Sequence, residues 1–139
     1  MRVAVDTNVL ISAVGWNGNE RQVIEKALDG EVILIIGDKV IDEFDEVVQR
    51  QKFSFIDRSK IDSFLQLLSH FAEIVHPKEN VCLIAEDPDD DMVLESAIEG
   101  SVDVIVTGDK HLLRLGKFNG IPIVTASQFL DLLSECRGQ

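Results

Sequence analysis

Val3-Ala4-Val5-Asp6-Thr7-Asn8, near the start of the chain, sets the pattern of the fold: a short apolar run ends at an acid. Residues 2–6 have the composition of a buried strand that leads into a turn. Residues 31–36 contain a continuous run rich in Ile and Val, which is typical of a strand buried on both faces. The same reasoning predicts strands at 103–106 and 121–124.

Amphipathic segments with capping signals separate these strands. The predicted helices cover roughly residues 20–29, 39–51, 60–73, 90–99, 109–115 and 126–136. Asn19 and Asp38 are the expected caps of the first two, and Thr125 with Gln128 has the spacing of a capping box for the last. Strands that alternate with helices predict an α/β fold with a parallel sheet of four or five strands and helices on both faces.

The composition predicts one globular domain over residues 1–139, with a core over about residues 2–130. The chain is 45% hydrophobic and 27% charged, and no apolar run approaches the roughly 18 residues of a membrane span. An acid at position 6 comes too early for a secretory signal. Cys82 and Cys136 form no CxxC motif, which favours reduced thiols. We therefore expect a cytoplasmic protein without membrane contact.

The formal net charge of -12 argues against a broad nucleic-acid-binding face. A cluster of catalytic acids would supply several of these charges. The cations are unevenly spread, since Arg50, Lys52, Arg58 and Lys60 fall within eleven positions. Solvated helix faces are the simplest explanation of that cluster.

Acidic residues follow two of the predicted strands directly. Asp6 follows the first, and Asp109 follows the strand at 103–106 after Thr107 and Gly108. In open α/β sheets, ligands bind at the carboxyl ends of the strands. Each aspartate also has a structural explanation, because an Asp at the start of a helix accepts backbone N–H bonds as an N-cap. Asp6 alone leaves the two explanations about even.

The segment 87–91 contains four aspartates, and helical spacing distinguishes them. Asp90 lies in line with the apolar residues that occur three, four and seven positions later, which are Val93, Leu94 and Ala97. It is therefore expected to point towards the sheet. Asp91 lies about a quarter turn to the side, and Asp87 precedes Pro88 in the entering loop. Asp90 is favoured, with Asp91 as the alternative.

Glu43 lies at the edge of an apolar stripe formed by Val40, Phe44 and Val47. A solvated boundary residue would explain it in isolation. Taken with the other acids, it suggests a site at which several carboxylates meet. Such groups repel one another unless a cation is present, and Mg²⁺ and Mn²⁺ prefer oxygen ligands. A hard-metal site is therefore the leading interpretation.

The order and spacing of these segments resemble the PIN domain over residues 3 to about 130. The matching segments are Asp6-Thr7-Asn8-Val9-Leu10, Val40-Ile41-Asp42-Glu43-Phe44, Asp87-Pro88-Asp89-Asp90 with Ala97, and Val104-Ile105-Val106-Thr107-Gly108-Asp109. The likeness is greatest to prokaryotic stand-alone PIN proteins, many of them VapC-like toxins of toxin–antitoxin pairs. It implies RNA cleavage with Mg²⁺ or Mn²⁺ bound by Asp6, Glu43, Asp90 and Asp109, with Asn8, Thr107 and Asp91 in supporting roles. We expect a homodimer, with an antitoxin protein as a candidate partner.

Two other functions compete with a metal-dependent ribonuclease. One is a catalytically idle PIN scaffold that binds RNA or a partner protein, against which the intact acids count. The other is an aspartyl-phosphate protein, either a receiver or a phosphatase with an Asp-x-Asp motif. The residue two positions after Asp6 is Asn8, and the first strand ends in a single acid, so both forms of this second alternative fit poorly.

Overall fold

A computed structural model of the chain describes residues 1–78 and 88–137, and within these it describes no side chain for residues 88–90 or 137. The described elements, in chain order, are β1 (Arg2–Val5), α1 (Thr7–Gly15), α2 (Asn19–Leu28), β2 (Ile33–Gly37), α3 (Asp38–Val48), a 3₁₀ turn (Gln51–Phe53), α4 (Arg58–Phe71), β3 (Glu73–Val75), α5 (Pro88–Gly100), β4 (Val104–Val106), α6 (Lys110–Leu115), β5 (Lys117–Phe118), β6 (Ile121–Val124) and α7 (Ala126–Arg137). Cys82, which is expected to be a reduced thiol, and Asp87, which is expected in the loop before the helix, lie outside the described ranges. Cys136 has a free, exposed thiol.

The strands form one sheet in the order β3-β2-β1-β4-β6-β5. Five of the six strands found in the described ranges are parallel, and only β5 runs antiparallel, against β6. The predicted α/β fold with a parallel sheet is confirmed, although the described part of the chain contributes six strands to it and not four or five. Two strands, β3 and β5, were not predicted. β5 has two residues and joins β6 through a tight turn in which Asn119 and Gly120 have positive φ.

Helices cover both faces of the sheet, as predicted. Because side chains alternate along a strand, Val3 and Val5 of β1 face one layer and Ala4 faces the other. The first layer contains α1, α2, α3, α4 and α7, packed around Phe44 and Phe129. The second layer contains α5 and α6, which pack on Ala4, Ile35 and Ile105 of the strands. Burial on both faces explains why these strands are continuous apolar runs.

Of the three predicted helix caps, one is present and two lie one residue away from the observed cap position. The Thr125–Gln128 capping box is present: the Thr125 N–H donates to Gln128 Oε1 at 2.9 Å, and the Gln128 N–H donates to Thr125 Oγ1 at 3.1 Å. Asn19 and Asp38 are first helical residues and not caps, since Gly18 and Gly37 occupy the cap positions. Asp38 and Glu20 still place an acid in the first turn of α3 and of α2, where it interacts favourably with the helix dipole.

The described helices include none that is both long enough and apolar enough to cross a membrane.

Candidate active site

Asp6 and Thr107 lie side by side at the carboxyl edge of the sheet. Val5 of β1 pairs with Val106 of β4 in parallel register, so the next residue on each strand emerges at the same level. The Thr107 hydroxyl donates a hydrogen bond to Asp6 Oδ2. Both side chains are buried, with Asp6 9% and Thr107 1% exposed. The topology of two neighbouring parallel strands thus produces a polar pair in an otherwise apolar region.

Asp6 is also the N-cap of α1. Its backbone is extended, and its Oδ1 accepts a hydrogen bond from the Val9 N–H at 3.0 Å. The structural explanation of Asp6 is therefore correct, but it does not exclude the functional one. Each carboxylate oxygen has two acceptor positions, so each keeps capacity for a further partner after these two bonds. The cap holds the carboxylate in a fixed orientation at the end of β1.

Asp109 is tied to the same threonine. Its backbone N–H donates to Thr107 Oγ1 at 3.0 Å, so the hydroxyl links the backbone of Asp109 to the carboxylate of Asp6. The Asp109 side chain caps α6, where Oδ1 accepts from the N–H groups of His111 at 2.8 Å and Leu112 at 3.2 Å. The supporting role of Thr107 stays a prediction; the structure shows that its hydroxyl contacts the side chain of Asp6 and the backbone of Asp109.

The electrostatic environment of Asp6 favours its neutral form. Burial raises the pKa of the Asp6 carboxyl, and the charge of Asp109 raises it further, while hydrogen bonds from Thr107 and the Val9 N–H act in the opposite direction. A cation beside Asp6 would reverse this balance, because it stabilises the ionised form against both burial and the neighbouring charge. The two carboxylates therefore fit a hard divalent cation by donor chemistry and by charge.

Glu43 lies on α3, the helix that leaves the carboxyl edge after β2. It is half-buried beside the apolar stripe, as its helical phase predicts. Its side chain lines a cleft of about 370 Å³ together with Lys39, Asp42, Glu46, Val47, Arg50 and Met92. Since Met92 belongs to α5, Glu43 faces the beginning of that helix. Glu43 is thus placed towards the start of α5, which contains Asp90 and Asp91.

The α5 acids are described in part. The Asp90 backbone lies in α5, but its side chain is among those not described, so its predicted inward orientation stays a prediction. Asp91 is buried, with 8% exposed, although its helical phase placed it to the side. Glu95, one turn further on the same side of α5, is equally buried and was not identified from the sequence. Its i, i+4 relation to Asp91 is the signal that would have found it.

The remaining predicted residue, Asn8, lies in the first turn of α1 and is exposed. Among the side chains that are described, no three His, Cys, Asp or Glu residues lie close enough to hold a metal ion. Within this part of the chain, the structure joins Asp6, Thr107 and Asp109 directly and places Glu43 on an adjacent helix. The four-acid ligand set is therefore still a prediction.

The raised pKa of Asp6 predicts a pH-dependent penalty on stability in a chelating buffer. Because the pKa of Asp6 is raised in the folded protein, the folded protein keeps this proton at pH values where the unfolded chain has lost it. The contribution of Asp6 to the unfolding free energy is therefore fully present below about pH 4, the pKa of an unfolded aspartate, and is lost as the pH rises through the native pKa. Asn at position 6 lacks the penalty. The difference in unfolding free energy between Asp6→Asn and the parent is expected to grow upward from about pH 4 and then level off, measured by urea unfolding. A difference independent of pH would contradict the assignment.

Comparison with known protein families shows to which family the chain belongs. The sequence model of the PIN domain matches residues 2–111, which is most of the chain. The chain therefore belongs to the PIN domain family. A comparison with curated proteins finds no significant match.

Two solved structures have the same fold. PAE2754 from Pyrobaculum aerophilum superimposes with a TM-score of 0.69 at 16% identity, over 97% of this chain and 90% of that one. VapBC2 from Rickettsia felis, crystallised with a DNA fragment from its promoter, gives a TM-score of 0.62 at 18% identity, over 88% of this chain and 97% of that one. At these identities the likeness concerns the fold.

Proposed function

We propose that this chain is a metal-dependent endoribonuclease that hydrolyses RNA phosphodiester bonds and serves as the toxin of a toxin–antitoxin pair. The observation that carries the proposal is the buried, hydrogen-bonded arrangement of Asp6, Thr107 and Asp109 at the carboxyl edge of a PIN fold. Burying an acid beside a second acid raises its pKa and destabilises the folded protein. Such an arrangement is understandable where a bound cation offsets the repulsion.

Asp6, Glu43, Asp90 and Asp109 are the proposed ligands of Mg²⁺ or Mn²⁺. When bound, such an ion lowers the pKa of a coordinated water and neutralises charge on a phosphodiester oxygen. The protein's own contribution is orientation: the Val9 N–H and the Thr107 hydroxyl fix the two oxygens of Asp6. The N-terminal N–H groups of α6 fix Asp109 in the same way. Rigid carboxylates of this kind need little reorganisation when substrate arrives.

The proposed partners follow from the family and from one structural relative. The R. felis relative is a complex named VapBC2, which supports an antitoxin partner for this chain. We further propose a homodimer that acts in the cytoplasm on RNA.

Asp109→Asn tests the proposed chemistry. The variant keeps an oxygen that can cap α6 but removes one negative charge from the site. We expect cleavage of single-stranded RNA in Mg²⁺ or Mn²⁺ to fall by more than about 10-fold, the lower end of what a weakened metal site costs. Asp131→Asn is the matched control, because Asp131 is an exposed acid on α7. Equal loss in both variants would point to a general charge effect, and RNA binding without any cleavage by the parent would favour the idle scaffold.

A further inference from the structure

A group of aromatic side chains lies at the surface where α1 ends. We call Trp16, Phe53 and Phe55 the aromatic patch. The Trp16 ring contacts Phe55 edge to face, with ring centroids 5.4 Å apart, and Phe53 with centroids 6.5 Å apart. Trp16 is 51% exposed and Phe55 61% exposed, so both rings offer surface to solvent. Large aromatic side chains this exposed and grouped together commonly mark a binding surface.

The patch is held in place by the packing beneath it. Ile56, between Phe55 and the start of α4, is buried. It packs so close to Gly15 that a Cβ at that glycine would lie 3.0 Å from Ile56 Cδ1. The absence of a side chain at Gly15 therefore allows the segment after α3 to approach the end of α1. As a result, the aromatic rings are presented by an anchored segment.

The segment that carries Phe53 and Phe55 is rich in cations, although the chain as a whole is acidic. Residues 50–60 contain four cations and one acid, whereas the whole chain has a net charge of -12. Lys52 Nζ lies 5.1 Å from the centroid of the Phe53 ring. Arg58 is paired with Asp45 and Asp62, so its charge is offset. Arg50 and Lys52 are exposed and provide the local positive charge.

The patch is connected to the candidate active site along α3. Arg50, which accepts the Phe53 N–H at its carbonyl oxygen, also lines the cleft that contains Glu43. Lys39, which also lines that cleft, lies at the start of α3 just after β2 ends, and Arg50 lies just beyond the last residue of α3. Since α3 has eleven residues, it spans about 16 Å between these ends. A strand of RNA a few nucleotides long would cover this distance.

We propose that the aromatic patch binds single-stranded RNA outside the catalytic acids, with bases stacked on Trp16 and Phe55 and phosphates held by Arg50 and Lys52. This inference rests on the proposed ribonuclease function. Exposed aromatic rings beside cations are the features that bind single strands without sequence preference, because every base has a face that can stack. The exposed cations Arg50 and Lys52 favour a polyanion such as RNA at this patch, although the net charge of the whole chain is -12.

Trp16 makes the test direct, because the chain has one tryptophan and no tyrosine. Asp6→Asn protein in chelating buffer is titrated with deca-adenylate, and tryptophan fluorescence is followed alongside the anisotropy of a labelled copy. We expect saturable quenching that tracks the anisotropy. Adding Phe55→Ala is expected to weaken binding by about 5- to 150-fold, the effect of losing one stacked base. Lys52→Gln is expected to reduce the salt dependence by about one counterion.

Leu132→Ala is the control, because Leu132 is 40% exposed on α7, away from the patch in sequence. Binding without quenching, and with an unchanged affinity in Phe55→Ala, would overturn this inference while the ribonuclease proposal stands. No anisotropy change together with no cleavage by the parent protein would overturn both. A Phe55→Ala variant that binds RNA normally but sediments as a monomer, where the parent is a dimer, would identify the patch as an interface between copies.

Discussion

Asp6→Asn is expected to abolish metal-dependent RNA cleavage, with a loss of more than about 100-fold. Removing a group that only orients a metal ligand lowers metal affinity or activity by about 10- to 100-fold. A larger loss is expected for Asp6, because it is proposed as a ligand itself. Asn preserves the shape of the side chain and still accepts the Val9 N–H through its amide oxygen. The loss would therefore be a loss of charge at the site. Rates on single-stranded RNA in Mg²⁺ and in Mn²⁺ measure it.

The same variant is expected to fold at least as stably as the parent in chelating buffer at neutral pH. Asn caps helices about as well as Asp, and it removes a carboxylate that burial and Asp109 destabilise. The melting temperature should hold or rise by up to about 4 °C, which corresponds to about 1 kcal/mol for a chain of this size. The stabilisation by added metal should shrink, because ligand-linked stability follows affinity for the folded state.

Melts with and without metal, beside the cleavage assay, separate the two roles of Asp6. An unfolded Asp6→Asn protein would show that the carboxylate is needed for the α1 cap and not chiefly for the site. A folded variant that cleaves at the parent rate would remove Asp6 from the mechanism.

Thr107→Val is expected to damage both stability and cleavage. The substitution keeps the β-branched shape but removes the hydroxyl that donates to Asp6 Oδ2 and accepts from the Asp109 N–H. Thr107 is 1% exposed, so water cannot readily replace these bonds. Leaving buried polar groups without partners costs about 1–3 kcal/mol. We expect cleavage to fall by about 10- to 100-fold, as for other residues that orient metal ligands.

Thr107→Ser is the matched variant, because it keeps the hydroxyl and loses one methyl group. Its cleavage rate should stay within a few-fold of the parent. Equal rates in Thr107→Val and Thr107→Ser would show that the hydroxyl does not position the aspartates. Urea unfolding of both proteins measures the stability difference separately from the rate.

The sequence predicted the buried parallel strands because their residues are apolar on both faces. Residues 121–124 match β6 to the residue, and 103–106 matches β4 to within one. β3 was missed because Glu73 and Ile74 are exposed at the sheet edge, where burial imposes no apolar pattern. β5 was missed because two residues, Lys117 and Phe118, are too few to define a period. An edge strand forms because it pairs with a neighbouring strand, and the local sequence pattern carries no information about that neighbour.

Within the candidate site, the residues that directly follow strands were easier to predict from the sequence than the residues that lie within helices. Asp6 and Asp109 follow strands whose neighbours in the sheet are fixed by topology, so their proximity could be foreseen. Asp91 shows the limit of helical phase: it lies beside the apolar stripe, yet it is buried. Burial at the side of a helix depends on what packs there, and that packing is set by distant segments. Glu95 lies four residues after Asp91 on the same side of α5, so its burial could be inferred only once that of Asp91 was known.

The dependence of RNA cleavage on a divalent metal ion is tested by a cleavage time course on end-labelled single-stranded RNA with the unaltered protein. The protein is first stripped with chelator, and Mg²⁺ or Mn²⁺ is then added in excess. We expect no cleavage in chelator and restored cleavage with either ion, with Asp131→Asn behaving like the parent. Cleavage that continues at full rate in chelator, or that no divalent ion restores while RNA still binds, would contradict it.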